Sequence, residues 1–331
     1  YLFDEIQHIA GWERFCRRVT ERGGASVYAT GSSSRLMPLE LDTAIRGRAW
    51  SVSVFPFSFQ EFLKLRGETG DAGTLLYGPK KPEIRRLFAE YTKWGGFPET
   101  ALAANLPDKA KLLKEYLRAM FFRDLVERYG MTNIALFDAL ADKLFSSFST
   151  RLSLTAFYRQ YRDIFPFSKD ILFQYFHNFE ESMLIFAVKK LSESSYRRSR
   201  NPVKIYPADT GLCRRVASED SGRILENIVF LEFMRQDRTV YYFEEKLECD
   251  FVVKDGPDGK FAAVQVCWEL TDENRTREIG GLISACKRLN LDEGTILTDD
   301  QEWDEETAGV KIRVRPVWRR LIEESAPGPL S

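Results

Sequence analysis

The first 57 residues alternate short apolar runs with one amphipathic stretch, and this order constrains the fold more than any other feature. Residues 1–3 are apolar and are followed by two acidic residues. Residues 25–30 and 50–55 form two further short apolar runs. Residues 11–22 carry apolar side chains at spacings of three and four, which predicts a helix. Strand, helix and strand with short links predict a parallel α/β unit over residues 1–57.

The pattern becomes helical after residue 57. Residues 58–130 hold three stretches with apolar residues at helical spacing, interrupted by the breaker GGFP at 95–98. We interpret residues 58–130 as a helical lid. Residues 131–207 hold three amphipathic stretches followed by apolar runs at 183–188 and 203–206. Three helices and a two-stranded hairpin are typical of a winged helix, with Ser153 and Ser168 as expected helix N-caps.

The last unit, residues 208–331, again mixes helices and strands. Helices are predicted over 224–236 and 276–289. Strands are predicted over 240–243, 249–253, 261–267, 294–298 and 311–314. The sequence therefore predicts an α/β multidomain protein: a partial α/β sheet, a helical lid, a winged helix and a C-terminal α/β domain.

Composition excludes several classes of site. The 331 residues carry a net charge of -1, so nucleic-acid binding would need a local basic patch. Five scattered cysteines without a C-x-x-C pair, and only two histidines, argue against a disulfide framework, a zinc site or a histidine triad. No apolar run approaches the roughly 20 residues that cross a bilayer, and no signal-peptide pattern is present. We expect a cytoplasmic protein without membrane contact and make no prediction of its oligomeric state.

Two adjacent carboxylates, Asp4 and Glu5, follow the first apolar run directly. The next run ends in TGSSS at 30–34, so small hydroxyl residues are expected at the same carboxyl edge of the sheet. Open α/β sheets bind their ligands at that edge. An aspartate there orients the water shell of Mg²⁺, and a following glutamate polarises an attacking water. The alternative is a solvated strand end without chemistry.

These motifs together resemble a known family. DEIQ at 4–7, TGSSSRL at 30–36, FPFSFQEFL at 55–63, GGFPE at 95–99, KIYPADTGL at 204–212 and IRVRPVW at 312–318 are similar to AAA-type P-loop ATPases. The bacterial and archaeal members with a C-terminal domain of unknown function are the nearest resemblance, which covers nearly the whole chain. The resemblance implies that Asp4 is the Walker B magnesium residue and Glu5 the catalytic base. It implies a sensor hydroxyl among residues 32–34, with Ser32 and Ser33 as candidate ATP contacts.

Arg48 is a further candidate for phosphate or inter-subunit contact, and a salt bridge at the sheet edge is its alternative role. The resemblance implies ATP and Mg²⁺ as ligands, yet the phosphate-binding pattern G-x-x-x-x-G-K-[ST] occurs nowhere in the 331 residues. Without that loop the chain lacks a backbone cradle and a lysine for the phosphates. We expect no ATP hydrolysis by this chain alone and expect the P-loop half upstream of Tyr1.

The expected hairpin of the winged helix is locally basic. Six cations and one acid lie in residues 189–204, and six phosphate contacts would give a salt slope of about -5. The preceding helix is aromatic and acidic, ending in Glu180 and Glu181, which suits protein contact better than a DNA groove. DNA contact, protein contact and a merely solvated basic loop all stay open for these residues: Lys189, Lys190, Arg197, Arg198, Arg200 and Lys204.

The C-terminal unit has the order of a metal-dependent nuclease site. Glu226 lies on a predicted helix, Asp250 at a strand start, and Gln265 on the next strand. Nucleases of this type surround one or two metal ions with such carboxylates and a lysine. Here an amide, Gln265, replaces one carboxylate, and Cys267 stands where the lysine is expected. The sequence therefore predicts a C-terminal restriction-endonuclease-like domain over residues 208–331, next to the partial P-loop hydrolase sheet, lid and winged helix, with a degenerate, inactive site.

Three functions follow from these patterns. The first is the hydrolytic portion of an AAA-type ATPase. The second is a non-enzymatic module that binds nucleic acid or protein. The third is a metal-dependent nuclease.

Overall fold

The computed structural model of the chain describes residues 1–6, 9–31, 50–192, 201–215, 220–256 and 259–323. Within these residues the protein contains a small parallel sheet, a helical region and a nine-stranded mixed sheet. No helix in these ranges is both long and apolar enough to cross a membrane.

The N-terminal unit has the predicted strand–helix–strand order. Strand β1 (Leu2–Phe3), helix α1 (Trp12–Arg22) and strand β2 (Tyr28–Ala29) follow one another along the chain. β1 and β2 pair in parallel, with Leu2 opposite Tyr28. The parallel pairing brings the two carboxyl ends to one edge of the sheet.

The strand predicted over residues 50–55 is wrong, because these residues belong to no strand in the structure. Two of its apolar side chains, Trp50 and Val54, are exposed. An alternating pattern forms a strand only where a neighbouring edge is available to receive its hydrogen bonds. Neither β1 nor β2 pairs with this segment.

The region predicted as a lid is helical, as expected. Ser58 and Glu61 form a capping box: Ser58 Oγ accepts from Glu61 N at 3.2 Å, and Glu61 Oε2 accepts from Ser58 N at 2.8 Å. This reciprocal pair satisfies two free amides at the start of the first helix. The helical elements are α2 (Phe59–Leu65), α3 (Ala72–Tyr77), α4 (Lys81–Trp94), α5 (Pro98–Leu102), α6 (Leu106–Ala119) and a π-helix (Met120–Glu127).

Three helices and a hairpin follow, in the predicted order. Ser153 and Ser168 cap their helices as predicted, each accepting a backbone N–H three residues later at 3.2 Å. The hairpin strands pair antiparallel, and a short strand missed in the sequence pairs with the second of them. The elements are α7 (Ile134–Ser146), β3 (Arg151–Leu152), α8 (Leu154–Tyr161), α9 (Lys169–Glu181), β4 (Ile185–Lys190), β5 (Val203–Pro207) and a 3-10 helix (Thr210–Arg215).

The remaining elements complete the large sheet, whose strand order is β10-β11-β9-β8-β7-β6-β4-β5-β3. Strands β8, β9 and β11 pair in parallel, and β6, β7 and β8 pair antiparallel. The elements are α10 (Ser221–Arg235), β6 (Thr239–Glu244), β7 (Glu248–Lys254), β8 (Phe261–Val266), α11 (Asp272–Leu289), β9 (Glu293–Thr298), β10 (Trp303–Thr307), β11 (Val310–Pro316) and α12 (Val317–Glu323).

Two predicted units share this sheet. β4 belongs to the predicted winged helix, yet it pairs in parallel with β6 of the C-terminal unit through Lys189 opposite Tyr241 and Lys190 opposite Tyr242. The predicted boundary between residues 207 and 208 therefore falls inside one hydrogen-bonded layer. A hairpin in that position carries side chains from β5 toward the helix α10 and the strand β7.

The helical region packs on the same sheet. One buried cluster contains Phe59 and Phe88 from the helices together with Phe230 and Trp318 from the C-terminal unit. Gln60 Nε2 also donates to the Ile322 carbonyl at 2.5 Å. Apolar burial is worth about 25 cal/mol per Å², so this shared core holds the helices on the sheet.

Candidate functional site

The carboxyl edge of the small sheet joins Asp4, Glu5 and Thr30. Thr30 N donates to the Phe3 carbonyl at 2.8 Å, which continues the ladder to the strand ends. Thr30 Oγ1 donates to Asp4 Oδ1 at 2.5 Å and accepts from Glu5 N at 3.2 Å. One hydroxyl therefore fixes both carboxylate-bearing residues at the edge where the sequence predicted them.

Glu5 has a left-handed backbone conformation, with a φ of 50°. Non-glycine residues adopt this region uncommonly, and it costs on the order of 1 kcal/mol or more. The hydrogen bond from Glu5 N to Thr30 and the burial of the next residue, Ile6, hold the turn in place.

The edge fits a magnesium ion only together with phosphates. Asp4 is exposed, and the described residues contain no cluster of three or more acidic, histidine or cysteine side chains that could hold a metal by itself. Mg²⁺ commonly binds one or two carboxylates plus substrate phosphate oxygens. A site built from Asp4 and a nucleotide agrees with that chemistry. The predicted contacts Ser32, Ser33 and Arg48 lie outside the described residues.

A second group of charged side chains, which includes predicted site residues, lies in the large sheet around Lys204. Its Nζ lies 2.8 Å from Glu226 Oε1, 2.8 Å from Asp250 Oδ1 and 2.7 Å from Glu248 Oε1. Lys204 is 2% exposed. The predicted role of Lys204 in an exposed DNA contact is therefore wrong, because β5 directs this side chain into the interior.

Burial and mutual contact set the protonation of this cluster. Burial and the nearby Asp250 raise the pKa of Glu226 to about 8. Burial alone would lower the pKa of Lys204, but the carboxylates of Asp250 and Glu226 outweigh it and raise that pKa well above its usual value. Tyr206 OH donates to Glu226 Oε1 at 2.6 Å. The Lys204 ammonium therefore stays charged and donates to the acids that surround it.

The predicted nuclease-like residues do meet, but the arrangement does not fit a metal. Asp250 Oδ2 accepts from Val266 N at 3.0 Å. Gln265 Oε1 accepts from Asp250 N at 3.1 Å, and Gln265 Nε2 donates to Glu278 Oε2 at 2.6 Å. The Lys204 ammonium occupies the point on which three carboxylates converge. Cys267 is buried, and burial raises the pKa of its thiol to about 12, so it supplies no anionic ligand at neutral pH.

Sequence reasoning missed three members of the cluster: Tyr206, Glu248 and Glu278. The signal for two of them was present, because residues two apart on a strand share a face. Tyr206 is two residues from Lys204 on β5, and Glu248 is two residues from Asp250 on β7. Glu278 lies on α11, and only the packing of that helix brings it to Gln265.

The structure describes only two of the remaining basic residues, Lys189 and Lys190. Lys189 is exposed, and the Lys190 ammonium lies 3.3 Å from Glu244 Oε2. Arg197, Arg198 and Arg200 lie outside the described residues. The described part of the chain therefore tests none of the readings of this basic stretch.

A buried aspartate connects two of the motifs that carried the resemblance. Asp209 accepts from Gly96 N and from Gly211 N, each at 2.7 Å. Gly95 has a φ of 76°, and a Cβ there would lie 1.7 Å from Asp209 Oδ1. Burial raises the pKa of Asp209 to about 6. The two glycines of GGFPE thus allow a close contact between the helical region and the segment after β5.

Comparison with known proteins places the chain in a family. A family model described as an AAA domain matches residues 1–63, and one described as a domain of unknown function (DUF8612) matches residues 85–222. The uncharacterized protein MJ1544 of Methanocaldococcus jannaschii is 32% identical over 331 residues, covering 96% of this chain and 73% of the relative. The chain belongs to the family of that archaeal protein.

A second, less similar relative is an uncharacterized protein of Haemophilus influenzae. It is 26% identical over 294 residues, covering 86% of this chain and 68% of the relative. No solved structure matches the chain significantly. The match over residues 1–63 indicates an AAA-type domain, in agreement with the resemblance of DEIQ and TGSSSRL, and it includes Asp4, Glu5 and Thr30.

Proposed function

We propose that residues 1–31 carry the hydrolytic edge of an AAA-type ATPase. The observation that carries the proposal is the Thr30 hydroxyl, which contacts both Asp4 and Glu5 at the shared carboxyl edge of β1 and β2. The AAA-domain match over residues 1–63 supports it.

Each residue has a distinct role in this proposal. Asp4 holds the water shell of a magnesium ion that is also bound by the nucleotide phosphates. Glu5 accepts a proton from the attacking water, which general-base catalysis accelerates about 10²–10⁴-fold. Thr30 positions the Asp4 carboxylate. The phosphates themselves are bound by a P-loop, a motif that the 331 residues do not include.

The first test is the coding sequence upstream of Tyr1 and the ATPase activity of the protein that it encodes with this chain. We expect a G-x-x-x-x-G-K-[ST] pattern there and Mg²⁺-dependent hydrolysis. Glu5→Gln should lower kcat at least about 100-fold while ATP still binds, because only the base is lost. Asp4→Asn should raise the Mg²⁺ concentration needed for half-maximal hydrolysis, because a contact to the ion is lost.

Glu21→Gln is the matched control, since Glu21 lies near the opposite end of α1, where it pairs with Arg17 at 2.8 Å. It should leave kcat unchanged. Hydrolysis that is insensitive to both Glu5→Gln and Asp4→Asn would refute the proposed roles.

A protein-binding role of the helix–hairpin region is the second candidate function. Helix α9 exposes Ile171 by 39% and Phe173 by 46%, and it ends in Glu180 and Glu181. Exposed apolar side chains suit a protein-binding surface. The acidic side chains repel the phosphates of DNA. We do not propose a nuclease, because the Lys204 ammonium fills the centre of its candidate site.

A further inference from the structure

Helix α1 carries three arginines along its exposed side. Arg14, Arg18 and Arg22 follow one another at spacings of four residues, and all three are exposed. Residues four apart on a helix share a face and lie about 6 Å apart along its axis. None of the three side chains forms an ion pair or a hydrogen bond with another described residue. We call these three residues the arginine stripe.

The arginine stripe is unfavourable for the helix itself. Like charges four residues apart repel each other and destabilise a helix. The other side of α1 shows the favourable arrangement, because Arg17 pairs with Glu21, four residues later, at 2.8 Å. Helix stability therefore gives no reason for three unpaired guanidinium groups along one face.

An aromatic ring borders the arginine stripe. Phe15 is 41% exposed and lies on the same side of α1 as Arg18 and Arg22, three and seven residues later. The Phe15 ring is perpendicular to the rings of Phe3 and Tyr1, with centroids 5.7 and 5.8 Å away. Within the described part of the chain, no other ring therefore stacks on the face of Phe15.

The opposite side of α1 holds the helix on the small sheet. Cys16 is buried in one cluster with Ile6, and Trp12 packs against both. The arginine stripe takes no part in this cluster, so substitutions in the stripe leave the packing of α1 intact.

We propose that the arginine stripe and Phe15 form a binding surface for single-stranded nucleic acid. The guanidinium groups bind backbone phosphates through paired N–H donors, and an unpaired base stacks on Phe15. The attraction is local, since the whole chain has a net charge of -1. A duplex keeps its bases stacked inside and offers phosphates alone. The proposal does not depend on ATP chemistry at Asp4.

Binding of a fluorescent oligothymidylate to the 331-residue chain tests the surface by anisotropy. Arg14→Gln with Arg18→Gln and Arg22→Gln removes the charge and keeps a similar helix propensity. In about 50 mM salt the affinity should fall at least about tenfold. The slope of log K against log salt should become shallower by about 2, because each phosphate contact on a single strand contributes about 0.7.

Helix α6 offers a matched control. Lys111, Lys114 and Arg118 are exposed on one side of this helix, with Glu115 among them. Replacing these three cations by glutamine removes the same charge and should change the affinity less than about threefold, with the salt slope unchanged. Arg18→Gln alone should lower the slope by about 0.7, which keeps the proposal testable if the triple variant folds poorly.

Phe15→Leu separates nucleic acid from an acidic peptide as the partner. Leucine keeps an apolar contact with Phe3 but cannot stack on a base, so the affinity should fall at least about fivefold without a change in salt slope. An oligoglutamate peptide should compete poorly with the oligonucleotide. Undetectable binding by the wild type, equal losses in the α1 and α6 triple variants, full affinity of Phe15→Leu or effective competition by oligoglutamate would each overturn the proposal.

Discussion

At the scale of single residues, Lys204 decides what the carboxylates around it can do. The order Glu226, Asp250 and Gln265 in the sequence is that of a metal site, and Cys267 predicted the loss of its lysine. The structure instead brings an ammonium from β5, 2.8 Å from both Glu226 and Asp250. An internal cation thus takes the position between these acids that a metal would otherwise occupy.

Replacing Lys204 by methionine should destabilise the protein strongly. Removing one partner of a buried ion pair leaves uncompensated charge and costs about 3–5 kcal/mol. Urea unfolding measures the loss. Lys189→Met, on the exposed side of β4, should stay within about 0.5 kcal/mol of the wild type. Similar losses in the two variants would mean that the buried ion pairs are not what Lys204 contributes.

At the scale of elements, contacts between segments explain motifs that have no local reason. GGFP at 95–98 predicted a helix break, and the break is present between α4 and α5. Its glycines are needed for a further reason, since Gly95 and Gly96 lie against the Asp209 carboxylate. Local pattern was sufficient for the caps at Ser153 and Ser168. It was insufficient for residues 50–55, whose alternation predicted a strand that the structure does not contain.

Gly95→Ala separates the contact from the backbone conformation. Gly67 is the matched control, because both glycines have positive φ but only Gly95 has an atom within 4 Å of the new Cβ. Gly67→Ala should cost about 1 kcal/mol from backbone strain alone. Gly95→Ala should cost at least about 2 kcal/mol more, since its Cβ would overlap Asp209. Equal losses in urea unfolding would contradict a close packing of the two motifs.

At the scale of the whole molecule, the predicted units are joined more closely than their sequence patterns indicate. β4 and β6 link the helix–hairpin region to the C-terminal sheet, and one buried cluster unites Phe59 and Phe88 with Phe230 and Trp318. This burial of one face of the hairpin, with Lys204 inside, reduces the basic surface that the sequence predicted over 189–204.

Duplex DNA should therefore bind weakly and without specificity. In about 150 mM salt we expect dissociation constants of about 10⁻⁶–10⁻⁴ M, the range of non-specific contact. Arg197→Ala with Arg198→Ala should reduce affinity no more than Arg159→Ala with Arg162→Ala, which removes two cations at the end of α8. Submicromolar binding that only the first pair abolishes would favour a DNA-binding function over protein contact.

The sequence by itself determined most of the longer helices, where two of them begin, and that Asp4, Glu5 and a hydroxyl residue meet at one sheet edge. These features depend on side chains close in sequence or on the common direction of parallel strands. Tertiary structure alone decided that Lys204 is buried among Glu226, Glu248 and Asp250, and that residues 50–55 form no strand. Those outcomes depend on which edges and faces distant segments offer, because a buried charge needs a partner and a strand needs a neighbour.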